Sequence, residues 1–205
     1  MTPSEWAVLH SVALASLLAW ASGVRLYLVV FAVGLGGRLG YIDLPPGLHM
    51  LEHPWVIGAA GFMLAMEFLV DKVPHLDTLW DSVHTFIRIP AGALLAAGAT
   101  GDTVSAVTVA AGLLGGTITA GTHFTKAGGR ALLNTSPEPL TNWAASFTED
   151  AMVLGAIWFA FQYPIVFLAL LALFVVFMAW FIPKMWRTIA ALLRRLRPRP
   201  HGMAS

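Results

Sequence analysis

Two stretches of the sequence, residues 164–182 and 104–121, contain no charged side chain and are long enough to cross the hydrocarbon core of a bilayer. The 205-residue chain as a whole is 58% hydrophobic and only 11% charged, whereas soluble domains carry roughly a quarter charged residues. Its mean hydropathy is +0.74. Because too few polar side chains remain to cover a soluble surface, a soluble enzyme, a nucleic-acid-binding module and a disordered tail are excluded. The sequence predicts an all-α, polytopic membrane protein surrounded by the lipid bilayer.

Hydropathy predicts about six membrane-spanning helices in one integral membrane domain, residues 1–187, followed by a basic tail, residues 188–205. The first apolar stretch, 6–39, is too long for one crossing, because 34 residues of helix reach about 50 Å. We predict that it breaks at Ser22-Gly23 beside Arg25, and that 24–40 is either a full crossing or a half-helix. The remaining spans are expected at 54–70, 83–99, 104–121, 143–162 and 164–182, with a short irregular segment at 122–133.

The basic residues predict the orientation of the chain. Six lysines and arginines and no acidic residue lie from Lys184 onward, whereas the preceding part holds six basic against eleven acidic residues. Basic segments beside membrane helices stay in the cytoplasm. The C-terminus is therefore expected on the cytoplasmic side and the 40–53 loop outside.

The layout of the spans also suggests an internal repeat. Residues 6–100 and 104–183 each offer an apolar span that breaks at small residues beside a cation, a short glycine-containing segment and two further spans. Inverted repeats with interrupted helices are typical of secondary transporters, and the interruptions mark the binding site. We therefore expect broken or re-entrant half-helices and an inverted repeat.

Carboxylates inside the predicted spans are the first candidates for a functional site, because each one is costly to insert into a membrane. Glu67 lies deep in the second span, with Asp71 one turn later on the same face. Glu149 and Asp150 lie early in the fifth span. Since these two spans run in opposite directions, Glu67 and Glu149 are expected to converge at a similar depth in the inner half of the membrane.

A second group follows helical spacing. Asp77, Asp81, His84 and Arg88 are separated by four, three and four residues, which places them on one helical face. We expect Asp77 to be solvated in an amphipathic lead-in to the third span. His84 and Arg88 are expected to be partly buried, where Arg88 could neutralise a carboxylate. Asp81 and His84 join the carboxylates of the spans as candidates for binding a substrate or ion.

A third group contains His123, Lys126 and Arg130, and Asn142 belongs to it as well. These residues either take part in a buried site or set the topology of a cytoplasmic loop. The candidates for charge pairing or anion binding are Arg25, Lys72, Arg88, His123, Lys126 and Arg130; a polar loop motif follows at Asn134, Ser136 and Glu138. His49 and His53 are spaced as metal ligands are, but lone pairs of this kind are usually incidental.

Four separated segments of the sequence occur in the same order in a known family. They read ASGVRLY from residue 21, EFLVDKVP from 67, WDSVHTFIRIPAG from 80 and NTSPEP from 134. Over residues 12–187 the chain resembles the bacterial membrane proteins grouped as domain of unknown function 4126. The resemblance implies a protein of the bacterial inner membrane and supplies no activity.

Three functions fit these observations. The first is a small secondary transporter or channel for a cation, a proton or a metal ion, since hard cations take oxygen ligands and proton relays use Asp, Glu and His. The second is a membrane enzyme or carrier for a lipid phosphate, gripped by Arg88, Lys126 and Arg130. The third is a non-catalytic scaffold. No cofactor or nucleic-acid partner is expected, an enzyme is the less favoured class, and a second copy of the chain is a candidate partner.

Overall fold

The computed structural model describes residues 2–73, 76–101, 105–134 and 139–196. These residues form seven helices and no strand. In chain order the helices are α1 (Pro3–Arg38), a 3-10 helix (Pro46–Glu52), α2 (Pro54–Val70), α3 (Leu76–Gly98), α4 (Ala106–Leu133), α5 (Pro139–Gln162) and α6 (Pro164–Leu196).

Three helical segments are long and apolar enough to cross a membrane: Pro3–Arg38, Leu140–Gln162 and Pro164–Thr188. The 3-10 helix and α2, which meet at an angle of 66°, count as a fourth span if they are taken together. The all-α membrane-type fold predicted from composition is thus confirmed. The expected six spans and inverted repeat are not confirmed by this count.

The structure places the break in α1 where the sequence predicts it. Arg25 has non-helical backbone angles, φ −146° and ψ 74°, and divides α1 into two arms, 3–24 and 26–38. The first arm begins beside Thr100 and Val107, with which Val8 lines one groove. The second arm ends beside the 3-10 helix, where Gly34 lies against Leu51.

The beginning and the end of α1 lie at the same end of the bundle. The first arm begins beside Thr100, which follows α3. The 3-10 helix, beside which the second arm ends, also contacts the end of α3, because Gly47 lies against the Gly98 and Gly101 carbonyls. We call this the opposite end. The charged end is the one at which Asp71, Asp77, Asn134 and Asn142 meet. Arg25 is therefore the apex of a bent helix that enters the bundle and returns.

The last two helices complete an alternating arrangement. α4 and α6 run in the same direction, since Met178 lies against Gly121 and Met185 against Gly128. α5, which lies between them in the chain, runs in the opposite direction. It starts at the charged end, where Ser146 accepts a hydrogen bond from Arg25. α6 consequently ends at the charged end, as α4 does.

Two predicted boundaries are corrected by the structure. α3 begins at Leu76 rather than at residue 83, because the polar lead-in continues the same helical face into the span. Residues 122–133 are not irregular: they form the last turns of α4, which is helical through the predicted break at 120–123. Only α1, and not α4, has the interruption that the proposed repeat required in both halves.

The apex of α1 packs against α4 through small residues. A side chain on Gly23 would clash with the Thr119 carbonyl and with Thr122, and the Thr119 hydroxyl donates to the Ala19 carbonyl at 2.7 Å. Gly92 of α3 meets the same Thr119 side chain. This close approach brings the apex of α1 to the polar residues of α3 and α4, as small residues do in membrane helix packing.

Candidate functional site: a buried charge network

Ten ionisable side chains form one buried network at the charged end. Nine of them belong to the helices α1 to α5, and the tenth belongs to Asp71, the residue that follows α2. Four are cationic, and each of them lies within 4 Å of at least two carboxylates. The carboxylates come from α2, from the residue that follows it, from α3 and from α5. The members are Arg25, Arg88, Lys126 and Arg130 with Glu67, Asp71, Asp77, Asp81, Glu149 and Asp150.

Arg25 stands at the centre of the network, fully buried at the break in α1. Its Nη1 lies 2.5 Å from Asp71 Oδ2, and its Nε lies 2.9 Å from Asp150 Oδ1. Its Nη2 donates to the Ser146 hydroxyl at 2.5 Å and to the Ser146 carbonyl at 3.1 Å. One side chain therefore joins the apex of α1 to the end of α2 and to α5.

Arg88 joins α3 to α2. Its Nη2 donates to Glu67 Oε1 at 2.5 Å and its Nη1 donates to Asp81 Oδ1 at 2.8 Å. Arg88 and Glu67 are both fully buried, and Asp81 is nearly so. The structure therefore brings together an arginine and two carboxylates that the sequence predicts as site residues.

Arg130 holds α5 against α4. Its Nε and Nη2 donate to the two oxygens of Glu149 at 3.0 and 3.1 Å, a bidentate pair. Its Nη2 also lies 3.4 Å from Asp71 Oδ2. The helical turns after residue 121 therefore bring a cation into the buried network at the charged end.

Lys126 contacts backbone as well as carboxylates. Its Nζ donates to the Val24 carbonyl at 2.9 Å, and it lies 3.3 Å from Glu149 Oε2, 3.6 Å from Glu67 Oε1 and 3.7 Å from Asp81 Oδ1. The Val24 carbonyl immediately precedes the break in α1. Four oxygens from four helices thus surround one ammonium group.

The charges of the network do not balance. Six carboxylates face four cations, so the described members leave two negative charges unmatched when all are ionised. In addition, Glu67 Oε2, Asp71 Oδ1 and Asp81 Oδ2 are buried and have no hydrogen-bond partner within the part of the chain that the structure describes. Buried negative charge without full compensation is costly, and neutralisation by a proton or a cation removes that cost.

His123 borders the network in a defined tautomer. Arg88 Nη1 lies 3.4 Å from His123 Nδ1, and an arginine can only donate, so Nδ1 accepts. His123 Nε2 then donates to the Thr85 hydroxyl at 2.7 Å, which in turn donates to the Asp81 carbonyl at 3.0 Å. A proton added at Nδ1 would face the Arg88 guanidinium.

The expectation that Asp77 is solvated is wrong. Asp77 is fully buried, because its carboxylate accepts from Asn134 Nδ2 at 2.9 and 3.1 Å while Arg130 lies 3.9 Å away. Asn142 Nδ2 donates to Asn134 Oδ1 at 3.0 Å. Asn134 of the predicted loop motif thus links the beginnings of α3 and α5, while Ser136 and Glu138 lie outside the described residues.

Two further expected site residues, like His123, lie beside the network rather than in it. The Lys72 ammonium lies over the Phe68 ring, 3.1 Å from its centroid, and 4.5 Å from the Trp143 centroid. His84 Nδ1 hydrogen-bonds to the Trp80 carbonyl at 2.8 Å, and its ring stacks on the Trp80 ring. Both contacts stabilise local packing.

The histidine pair at the opposite end has structural contacts. His49 Nε2 hydrogen-bonds to the Leu44 carbonyl at 2.9 Å, and His53 Nδ1 accepts from the Trp55 amide as the N-cap of α2. No group of three or more His, Asp or Glu side chains among the described residues has a geometry that could hold a metal ion. In the network, the carboxylates instead alternate with guanidinium and ammonium groups.

Sequence reasoning missed three uncharged members of the site: Ser146, the Thr85 hydroxyl and the Val24 carbonyl. Ser146 and Asn142 share one face of α5 with Glu149, at separations of three and four residues, which is the same helical signal that identified the face of α3. The Thr85 hydroxyl and the Val24 carbonyl carried no such signal, since neither a lone threonine nor a backbone carbonyl stands out from an apolar sequence.

The arrangement of the basic groups limits the chemistry of the site. Arg88, Lys126 and Arg130 all point to carboxylates and are buried. They do not form a separate basic pocket open to the bilayer within the described residues, which is the arrangement that a lipid phosphate would need. The network is suited to exchanging protons or small cations among carboxylate oxygens.

Comparisons with curated proteins and with solved structures give no match. A family profile does match: that of the family described as Domain of unknown function (DUF4126), over residues 12–184. The match covers most of the chain and includes every charged member of the network. The chain therefore belongs to the DUF4126 family.

Proposed function

We propose that this protein is a small secondary transporter or channel of the bacterial inner membrane, and that it moves a cation through the buried charge network. In this proposal α2 to α6 each cross the membrane, α1 enters and returns, and the C-terminal end is cytoplasmic. α5 and α6, and α2 taken together with the 3-10 helix, are long and apolar enough to span a membrane, which supports the membrane part of the proposal. The basic residues after Lys184 support the orientation.

The observation that carries the proposal is the excess of carboxylates over cations in a buried place. Two protons or other monovalent cations would bring the described network to neutrality. Intramembrane carboxylates with such partners are typical of ion pathways and proton relays. A scaffold protein that needed the charges only to pair would be better served by equal numbers of each sign, since unmatched buried charge destabilises the fold.

A proton fits the network better than a multivalent metal ion does. A proton needs a single oxygen, and Glu67 and Asp81 each have a buried oxygen without a hydrogen-bond partner in the described residues. A metal ion needs several oxygens around it, but here guanidinium and ammonium groups lie between the carboxylates. We therefore propose the proton as one transported or coupling species.

The exposure of the carboxylates indicates where the pathway opens. The side chains of Asp150 and Glu149 are 23% and 12% exposed, whereas that of Glu67 is fully buried. Asp150 and Glu149 also lie next to Arg25 at the apex of α1. In our proposal protons enter at the Asp150 side of the network and pass to Glu67.

The proposal is tested with purified protein in liposomes that enclose a pH-sensitive dye. We expect the parent protein to dissipate an imposed pH gradient, and Glu67→Gln to reduce the rate to that of protein-free vesicles. Glutamine keeps the shape of the side chain but cannot exchange a proton in this way. Asp43→Asn is the matched control, because Asp43 is exposed at the opposite end and lies outside the network.

Two results would contradict the proposal. One is a Glu67→Gln variant that carries protons as fast as the parent protein. The other is a parent protein that, although folded, moves neither protons nor monovalent or divalent cations above the background of empty vesicles. In the second case the network would only stabilise the fold, and the scaffold hypothesis would replace the transport hypothesis.

A further inference from the structure

The Lys126 ammonium group is enclosed by oxygens that belong to four different helices. The Val24 carbonyl comes from α1, Glu67 from α2, Asp81 from α3 and Glu149 from α5, while Lys126 itself comes from α4. The side chain of Lys126 is 4% exposed. The Lys126 ammonium therefore connects α4 to the other four helices that build the network.

The four oxygens form a larger cage than the tethered ammonium fills. Only the Val24 carbonyl, at 2.9 Å, lies at hydrogen-bond distance for an N–H donor, whereas the three carboxylate oxygens lie 3.3 to 3.7 Å from Nζ. An ammonium group has three hydrogens to donate. A free cation, which is not held by a side-chain stem, could move toward the carboxylates and contact several of them.

Two further features of the cage are those of an ion site. The helical backbone of α1 is interrupted at Arg25, directly after the carbonyl that Lys126 contacts; unwound helices supply carbonyl ligands to cations in transporters. In addition, Glu67 Oε2 and Asp81 Oδ2 are buried without a hydrogen-bond partner in the described part of the chain. These are the second oxygens of the two carboxylates whose Oε1 and Oδ1 lie near the ammonium, so both carboxylates have unused acceptor capacity.

We propose that the oxygens around Lys126 form a binding site for one monovalent cation of ammonium size, and that Lys126 is the tethered occupant of this site. In the transport cycle the free cation and the Lys126 ammonium compete for the same oxygens, so only one of them is held at a time. This inference rests on the proposed function for its role in transport and names a second cation that the network handles besides the proton.

The test removes the tethered occupant and supplies a free one. In Lys126→Ala the cage is kept but its cation is lost, so we expect the melting temperature of the purified protein to fall. Added methylammonium should restore it in a saturable manner. Tetramethylammonium at the same ionic strength should not, because it has no N–H group and is too large. Lys184→Ala, which removes an exposed ammonium over the Trp180 ring, should respond to methylammonium no more than the parent protein does.

A second variant covers the case in which Lys126→Ala cannot be purified. The double variant Lys126→Met, Asp81→Asn keeps the same net charge as the parent network and retains the Val24 carbonyl, Glu67 and Glu149. It too should gain thermal stability with methylammonium. The proposal is wrong if neither variant is stabilised, or if tetramethylammonium stabilises them as much as methylammonium does.

The outcomes separate this site from the proposed function. Stabilisation by methylammonium together with an inactive parent protein would retain the cation site and overturn transport. Proton flux in the parent protein without any such stabilisation would retain transport and overturn the site.

Discussion

Arg88 of α3 makes two short ion pairs, one with Glu67 Oε1 of α2 at 2.5 Å and one with Asp81 Oδ1 of its own helix at 2.8 Å. If Arg88 is replaced by methionine, both carboxylates stay buried with less compensation. We expect Arg88→Met to lower the free energy of unfolding by about 3–5 kcal/mol, the usual cost of breaking a buried ion pair from one side. Chemical denaturation of the protein in detergent measures this change.

The partner whose removal restores more stability can be named. After the loss of Arg88, Glu67 keeps Arg25 and Lys126, each at 3.6 Å, whereas Asp81 keeps, among the described residues, only Lys126 at 3.7 Å. Asp81→Asn should therefore recover more of the loss in Arg88→Met than Glu67→Gln does. If the single variant Arg88→Met and its two double variants, with Asp81→Asn and with Glu67→Gln, were equally stable, Arg88 would not be paired as the structure has it.

The residues of the network differ in how far the sequence reveals them. Glu67 and Arg88 could be chosen because a charge inside an apolar run needs a reason. Their pairing could not be derived, because spacing along one helix says nothing about which residues of other helices come opposite. Asp77 was misjudged for this reason: its partner Asn134 lies 57 residues away in the chain.

At the level of helices, hydropathy locates the apolar middle part of each helix but not the residues at which the helix begins and ends. α2 was predicted with its observed bounds because proline and a polar turn delimit the apolar run. The end of α4 was predicted to be irregular because it is polar, yet residues 122–133 are helical. Their polar side chains, among them His123, Lys126 and Arg130, are buried against the network. A single sequence cannot show that a polar stretch has buried partners.

The contact between the apex of α1 and α4 gives a prediction at this level. A methyl group on Gly23 would lie 2.6 Å from the Thr119 carbonyl oxygen and 2.9 Å from the His123 amide nitrogen. Since both neighbours are backbone atoms, the helices must separate, and we expect Gly23→Ala to lower the free energy of unfolding by about 1–3 kcal/mol. The loss should be seen in the same denaturation measurement.

Gly58 of α2 is the control for this substitution. A methyl group there would meet nothing within 4 Å, and alanine is about 1 kcal/mol better than glycine inside a helix. Gly58→Ala should therefore leave the stability unchanged or raise it slightly. A Gly23→Ala variant as stable as Gly58→Ala would mean that α1 and α4 do not approach each other this closely.

At the scale of the whole molecule, the bend in α1 determines which segments lie at the same end of the bundle. The start of α1 and the 3-10 helix both lie at the opposite end of the bundle, whereas α6 finishes at the charged end. The chain has no cysteine, so single cysteines can be introduced without a background. Ser4, Asp43 and Thr188 are exposed positions for this purpose.

With a membrane-impermeant maleimide on spheroplasts, we expect Ser4→Cys and Asp43→Cys to react from outside and Thr188→Cys only after permeabilisation. In the proposed orientation the basic residues from Lys184 onward lie on the cytoplasmic side. The bend in α1 predicts that the first two positions react from the same side. A fully reversed pattern would overturn the orientation but leave the fold intact. Reaction of Ser4→Cys and Asp43→Cys from different sides would overturn the bent α1, because an unbroken α1 places its two ends on opposite sides of the membrane.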